Sequence, residues 1–262
     1  MIIGQNKKRN DQLPSPGDWD TIDTNVLKPL VGFRSMTTEF GFLFRHYWMP
    51  STDLYYRRSI HQQLRGQESG IVQTVRKKMV KCDADRCVWR QKVIDSNTQN
   101  SNVVSFFSLS TEEYLCEYNR SKQIFQSNPI LDFEPSNRVD NRIQAFLQLS
   151  FLNPVLPVPL GFHWHIQSEK SYLDFQIESF ERIGTMPVVF VRRSGKLTLP
   201  HFFQDGICHP HLFQIEREGI SVYALDRSMI IEDRTHDTVR DDNNFLNGLE
   251  LWTKIKLIKS CM

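Results

Sequence analysis

The first candidates for chemistry are the histidines and cysteines. His201 lies close to the run Cys208-His209-Pro210-His211, and zinc takes about four N or S ligands held tetrahedrally. Cys82 with Cys87, and His163 with His165, could add pairs of ligands. Two features speak against a metal. No C-x-x-C is present, and residues two apart on a strand share one face, which suits a packed or hydrogen-bonded histidine. A small zinc hydrolase built on His201, Cys208, His209 and His211 is therefore an alternative only. Nucleophilic catalysis has less support, because neither G-x-S-x-G nor G-x-x-x-x-G-K-[ST] occurs. Glu232-Asp233 beside His236-Asp237 could be drawn as an acid–base cluster, but a charge run between two apolar segments reads as a solvated loop. The expectation is a non-enzymatic chain with no catalytic residue, no metal and no cofactor.

Basic clusters are the other chemistry-bearing groups. They are Tyr55-Tyr56-Arg57-Arg58, Arg76-Lys77-Lys78 with Lys81, and Arg192-Arg193 with Lys196. Such groups can neutralise phosphates, and neighbouring tyrosines can stack on bases. A nucleic-acid-associated protein is thus a second alternative. The whole chain of 262 residues has 32 Lys+Arg against 30 Asp+Glu, however, a formal charge of +2 without a nucleic-acid binder's basic footprint.

These groups must be held by elements. Residues 1–20 carry Pro14, Pro16 and Gly17 and no periodic apolar face, so they read as a flexible tail. Residues 21–138 read as helical or irregular. Tyr55, Tyr56, Ile60 and Leu64 fall at helical spacing, as do Ile71, Val72, Val75 and Met79-Val80. Ser110 followed by Glu113 is a capping box that would start a helix through Tyr114, Leu115, Tyr118 and Ile124. Residues 95–102 are polar and read as a surface loop, and 127–138, with Pro129 and Pro135, as a linker.

Residues 139–262 change to short strands. In 172–178, Leu173, Phe175 and Ile177 alternate with Asp174, Gln176 and Glu178, the pattern of a half-buried strand. Similar runs lie at 162–166, 188–191, 197–203, 212–215, 220–225 and 230–231, with turns expected at Gly184, Ser194-Gly195, Asp205-Gly206 and Glu218-Gly219. After Asp241-Asp242-Asn243 as an N-cap, Phe245, Leu249, Trp252, Ile255 and Ile258 suggest one face of an amphipathic helix. About seven strands and then one helix is the order of a pleckstrin-homology-like (PH-like) β-sandwich or barrel, its open end plugged by the helix and Trp252. The expected fold class is α+β.

Residues 172–206 carry a resemblance. Phe175-Gln176-Ile177-Glu178-Ser179-Phe180, then Pro187-Val188-Val189-Phe190-Val191, then Gly195-Lys196-Leu197-Thr198-Leu199-Pro200 and Asp205-Gly206 resemble the PH-like Rab-binding region of TBC-type Rab GTPase-activating proteins, the small G-protein signalling modulators among them. Pro210 opposes the helix that the family pattern continues with. The catalytic arginine of that family is matched here by His236, which cannot supply a bidentate fork. The resemblance implies a cytoplasmic adaptor that binds a Rab-type GTPase or a phosphoinositide surface without accelerating hydrolysis, with peripheral attachment to endomembranes as an option. The implied contact residues are Asp174, Gln176 and Glu178 on one strand, with Arg192, Arg193 and Lys196 at the presumed turn.

The longest apolar stretch, Phe151 through Phe162, is interrupted by Pro154, Pro157 and Pro159. It falls short of the ~20 apolar residues of a membrane-spanning helix. Five cysteines do not form a disulfide framework, which suits a reducing compartment.

Overall fold

The computed structural model describes residues 36–44, 52–82, 86–99, 114–119, 124–129, 157–167, 172–202, 208–227, 229–240 and 247–261. Thirteen strands occur among them. A small antiparallel pair joins β1 (Met36–Thr38) to β2 (Gly41–Leu43). The other eleven form one antiparallel sheet: β3 (Asp53–Leu64), β4 (Gln67–Cys82), β5 (Arg86–Gln99), β6 (Tyr114–Asn119), β7 (Ile124–Pro129), β8 (His163–Gln167), β9 (Tyr172–Ile183), β10 (Met186–Phe202), β11 (Cys208–Ala224), β12 (Met229–Arg240) and β13 (Glu250–Cys261). Their order is β7-β6-β5-β4-β3-β13-β12-β11-β10-β9-β8. Two up-and-down runs therefore meet where β13 pairs β3.

This corrects the expected α+β class. No α-helix occurs among the described residues, and the expected two-sheet sandwich is a single wide sheet. The residues expected to form a helix at 54–64 are β3. Its buried positions are Leu54, Tyr56, Arg58, Ile60 and Gln62, a strict alternation. The spacing of Tyr56, Ile60 and Leu64 is common to a helix and to every second residue of a strand. Arginine and glutamine at the intervening inward positions hide the shorter period. In β4, Gln73 does the same between Ile71 and Val75. The C-terminal helix is also corrected. Leu249, Leu251 and Leu257 are the buried positions, and Trp252 lies half-exposed on the opposite face, plugging nothing. Tyr114–Asn119 and Ile124–Pro129 are strands, as is the 95–99 part of the expected loop. The tail, Ser110-Glu113 and Asp241-Asp242-Asn243 lie outside the described residues.

The expected strands of the second half are present but merged. The 188–191 run and the 197–202 part of the next belong to β10, and the 212–215 and 220–225 runs belong largely to β11. Gly184 does turn the chain, with positive φ, between β9 and β10. Gly195 and Gly219 instead sit in mid-strand, opposite Leu173 and Arg193. A Cβ on Gly195 would collide with the Tyr172 carbonyl, and one on Gly219 would lie 2.7 Å from the Arg234 carbonyl and 3.0 Å from Arg193 Nε. Glycine here permits close approach rather than a turn. One turn the pattern did not suggest is Arg65-Gly66, both with positive φ, which closes the two-residue β3–β4 hairpin.

Burial is uneven. Along β10, Val188, Val189, Phe190 and Val191 are consecutive and all fully buried, as are Ile220, Val222, Tyr223 and Ala224 on β11. Strands buried on both faces read as continuous apolar runs. Two apolar clusters result. One holds Phe175, Val189, Val191, Tyr223 and Leu251, with Phe42 and Phe44 packed against it. The other holds Val188, Phe190, Val222, Met229 and Leu54. Full burial of such a side chain contributes about 1.5–3 kcal/mol.

Candidate functional site

Two sets of charged groups stand out, one inside and one outside. The inward set comes from β10, β11, β12 and β3. Arg217 forks onto Asp237, with Nε 2.7 Å from Oδ1 and Nη2 2.6 Å from Oδ2, and both side chains are 2% exposed. Arg193 Nη2 donates to Asp233 Oδ2 at 2.6 Å, crossing β11 where Gly219 leaves room, while Ser221 donates to Oδ1 at 2.6 Å. Arg58 donates to Gln73 Oε1 at 3.0 Å. Burial opposes the Arg217 charge, but the charge and hydrogen bonds of Asp237 hold its pKa above its ordinary value. Burial, and then Arg217, push the Arg58 guanidinium down, with Asp237 acting the other way. Burial, and then Tyr223, push the Tyr56 hydroxyl up, so it stays protonated facing the Ile230 carbonyl at 3.5 Å. These groups pair with one another within the sheet. Their chemistry is structural: they fix strand register.

The outward set spans β12, β13, β3, β4 and β5. Register aligns Glu232, Lys256, Arg57, Thr74 and Asp95 in one row across the five strands. A second row holds Arg234, Lys254, Ser59 and Val72, a third Lys259, Tyr55, Arg76 and Lys92, and a fourth Asp53, Lys78 and Arg90. Strand alternation places these on the side opposite the inward residues of their strands, and all but Glu232, which is 1% exposed, reach water there. Within these four rows, nine cations (Arg57, Arg76, Lys78, Arg90, Lys92, Arg234, Lys254, Lys256 and Lys259) thus lie with three carboxylates, Asp53, Asp95 and Glu232. Glu232 is covered by Arg234 at 2.7 Å and Lys254 at 3.0 Å, and Asp53 pairs with Arg76 at 2.9 Å. With strands ~4.8 Å apart, the patch is roughly 20 Å wide.

Exposed aliphatic groups border the patch. Val72, at 43% exposure, is in register with it, and Leu115, at 38%, lies opposite Arg90. Val80 and Ile94, 46% and 49% exposed, occupy the two bulges between β4 and β5. The outward aromatics, by contrast, have occupied faces. Lys259 Nζ lies 5.8 Å over the Tyr55 ring, and Trp252 stands between His236 and His61 with centroids 4.9 and 5.6 Å away.

The contact residues implied by the resemblance divide between the two faces. Gln176 lies opposite Arg192 and Asp174 opposite Ser194 on the outer side of β9 and β10. Arg192 binds Glu178 at 2.6 Å, Lys196 lies 3.5 Å from Glu216, and Arg193 is buried against Asp233. Among the basic clusters, Arg57, Arg76 and Lys78 fall on the cationic face. Arg58 is buried, and Lys77 Nζ lies 5.1 Å over the Tyr56 ring and 5.8 Å over that of Trp89. Asp233 and Asp237 of the expected loop are buried in β12. His163 and His165 are exposed on β8. The side chains of Cys82, Cys87, His201, Cys208, His209 and His211 lie outside the described residues. Among the described residues, no group of three or more His, Cys, Asp or Glu could hold a metal ion. Lys92, Arg90, Lys254, Lys256 and Lys259 were not expected at the site. Only the strand register brings them to Arg57.

No family model and no curated protein matches the chain. Among solved structures, it is similar to a putative outer membrane lipoprotein-sorting protein domain from Vibrio parahaemolyticus, at 7% identity and TM-score 0.24, covering 80% of this chain and 84% of that one. It is also similar to a DUF1329 family protein from Desulfovibrio piger, at 7% identity and TM-score 0.24, covering 79% and 84%. Neither likeness is strong enough to carry function across. A single sheet whose β13 lies between β12 and β3 has no helix-capped sandwich. The implied Rab or phosphoinositide adaptor, with its role in GTPase regulation, is set aside on that ground.

Proposed function

We propose that this chain is a non-enzymatic protein that docks on an anionic membrane surface through the outer face of β12, β13, β3, β4 and β5. The observation that carries this is register. Nine cations from five strands converge on one face of a chain whose formal charge is only +2, with exposed aliphatic side chains at its border. Lysine and arginine near an anionic lipid surface contribute about 1 kcal/mol each, and apolar side chains reaching the acyl boundary add burial. Single-stranded nucleic acid is the less favoured polyanion, because stacking needs open aromatic faces. Here those of Tyr55 and Trp252 are taken. The reading relies on bulk charge and shallow aliphatic contact, without a stereospecific headgroup pocket.

The test is sedimentation with phosphatidylcholine vesicles containing or lacking phosphatidylglycerol, with a short DNA as a parallel probe. Binding that requires phosphatidylglycerol, falls as salt is raised, and is lost in an R57Q/K92Q/K256Q variant is the expected result. Equal binding to neutral vesicles, no binding at all, or tighter binding to DNA would overturn it.

A further inference from the structure

One register row beyond Arg234, Lys254 and Ser59, the same outer face changes character. Glu218 of β11 lies opposite His236, His236 opposite Trp252, and Trp252 opposite His61, with Gly70 of β4 next in line. His236 and Trp252 are stacked at an interplanar angle of 4°. Each histidine also has a carboxylate nearby: Glu250 Oε2 is 3.9 Å from His236 Nε2, and Glu68 Oε2 is 3.9 Å from His61 Nε2. The groups facing His236 are thus Glu218 and, one step along β11, Glu216, which is held by Lys196 and Arg240; Arg234 and Thr238 on its own strand; and Trp252, Glu250 and Lys254 from β13. Those facing His61 are Trp252, Glu250 and Lys254 from β13, Ser59 and Gln63 on its own strand, and Glu68 and Gly70 from β4.

We infer that this row is an acid-sensitive rim that controls how strongly the cationic face docks, an inference that rests on the docking reading above. With neutral imidazoles, Glu68, Glu218 and Glu250 place three negative charges beside the patch, and these repel an anionic surface. Histidine is the side chain whose charge ordinarily changes between pH 5 and 8. Two imidazolium ions would offset most of that negative charge. Docking therefore strengthens as pH falls.

The experiment compares wild type with an H61Q/H236Q variant on phosphatidylglycerol vesicles, whose phosphates stay charged, at pH 7.5 and 5.5 and constant ionic strength. Wild type should gain on the order of fivefold affinity per histidine on acidification, and the variant should lose most of that gain. Trp252 fluorescence, isolated by difference against W252F, should be quenched at low pH in wild type and not in H61Q/H236Q, with no vesicle present. Vesicle binding that changes equally in both proteins between pH 7.5 and 5.5, or an equal fluorescence change in both, overturns the rim alone. Failure of wild type to bind at either pH overturns the docking reading beneath it.

Discussion

Strands β10–β12 and strands β3–β5 lie on either side of β13 in one sheet but use their faces differently. Over 188–191 and 220–224, consecutive residues are buried, so both faces of β10 and β11 are covered there. Along β3, by contrast, every second residue is buried and the others reach water. The first region uses its charges to hold strands in register, inside the sheet. The second shows its charges to the outside. Arginines and lysines thus mean different things in the two regions, and burial is what separates them.

Breaking the β10–β12 region should cost most. Asp237→Ala leaves Arg217 buried without its carboxylate, so a loss of about 3–5 kcal/mol is expected in urea unfolding. Gly195→Ala drives a Cβ into the Tyr172 carbonyl and should cost about 1–3 kcal/mol, read as a lowered denaturation midpoint. Arg58→Met sharpens the contrast. Burial already disfavours that charge, so a well-packed apolar replacement should be neutral or stabilising by about 1 kcal/mol. A strong loss there would show that Arg58 is as integral as Arg217. On the outer face, Arg57→Gln, Lys92→Gln and Lys256→Gln should each shift stability by less than about 0.5 kcal/mol while together abolishing vesicle binding. If that triple variant unfolds instead, the two regions are not separable in the way described.

The comparison also explains which parts of the molecule could be read in advance. Leu173, Phe175 and Ile177 alternate with polar residues, and β9 forms where that pattern predicts a strand. The valine-rich run of β10 was equally plain. In β3 and β4 the period was obscured because Arg58, Gln62 and Gln73 occupy inward positions, and only their partners across the sheet make those positions tolerable. In β13, Leu249, Trp252, Ile255 and Ile258 offered a helical reading that competed with the buried sequence Leu249, Leu251 and Leu257. The candidate site was visible only in fragments. Arg57, Arg76 and Lys78 stood out as charge clusters. Their union with Lys256 and Lys92 depends on a pairing of strands far apart in the chain, which no local pattern encodes.

That pairing has a kinetic consequence. Trp252 sits opposite His61, so the seam joining the two halves closes a very long loop. Hairpins such as β3–β4 and β9–β10 can form early from nearby residues, but β13 must arrive before the inner edges of β3 and β12 are both satisfied. Until then each meander presents an unpaired border of backbone donors and acceptors, inviting the wrong neighbour. Slow maturation, with a window of self-association that closes as β13 inserts, is the folding behaviour this strand order imposes.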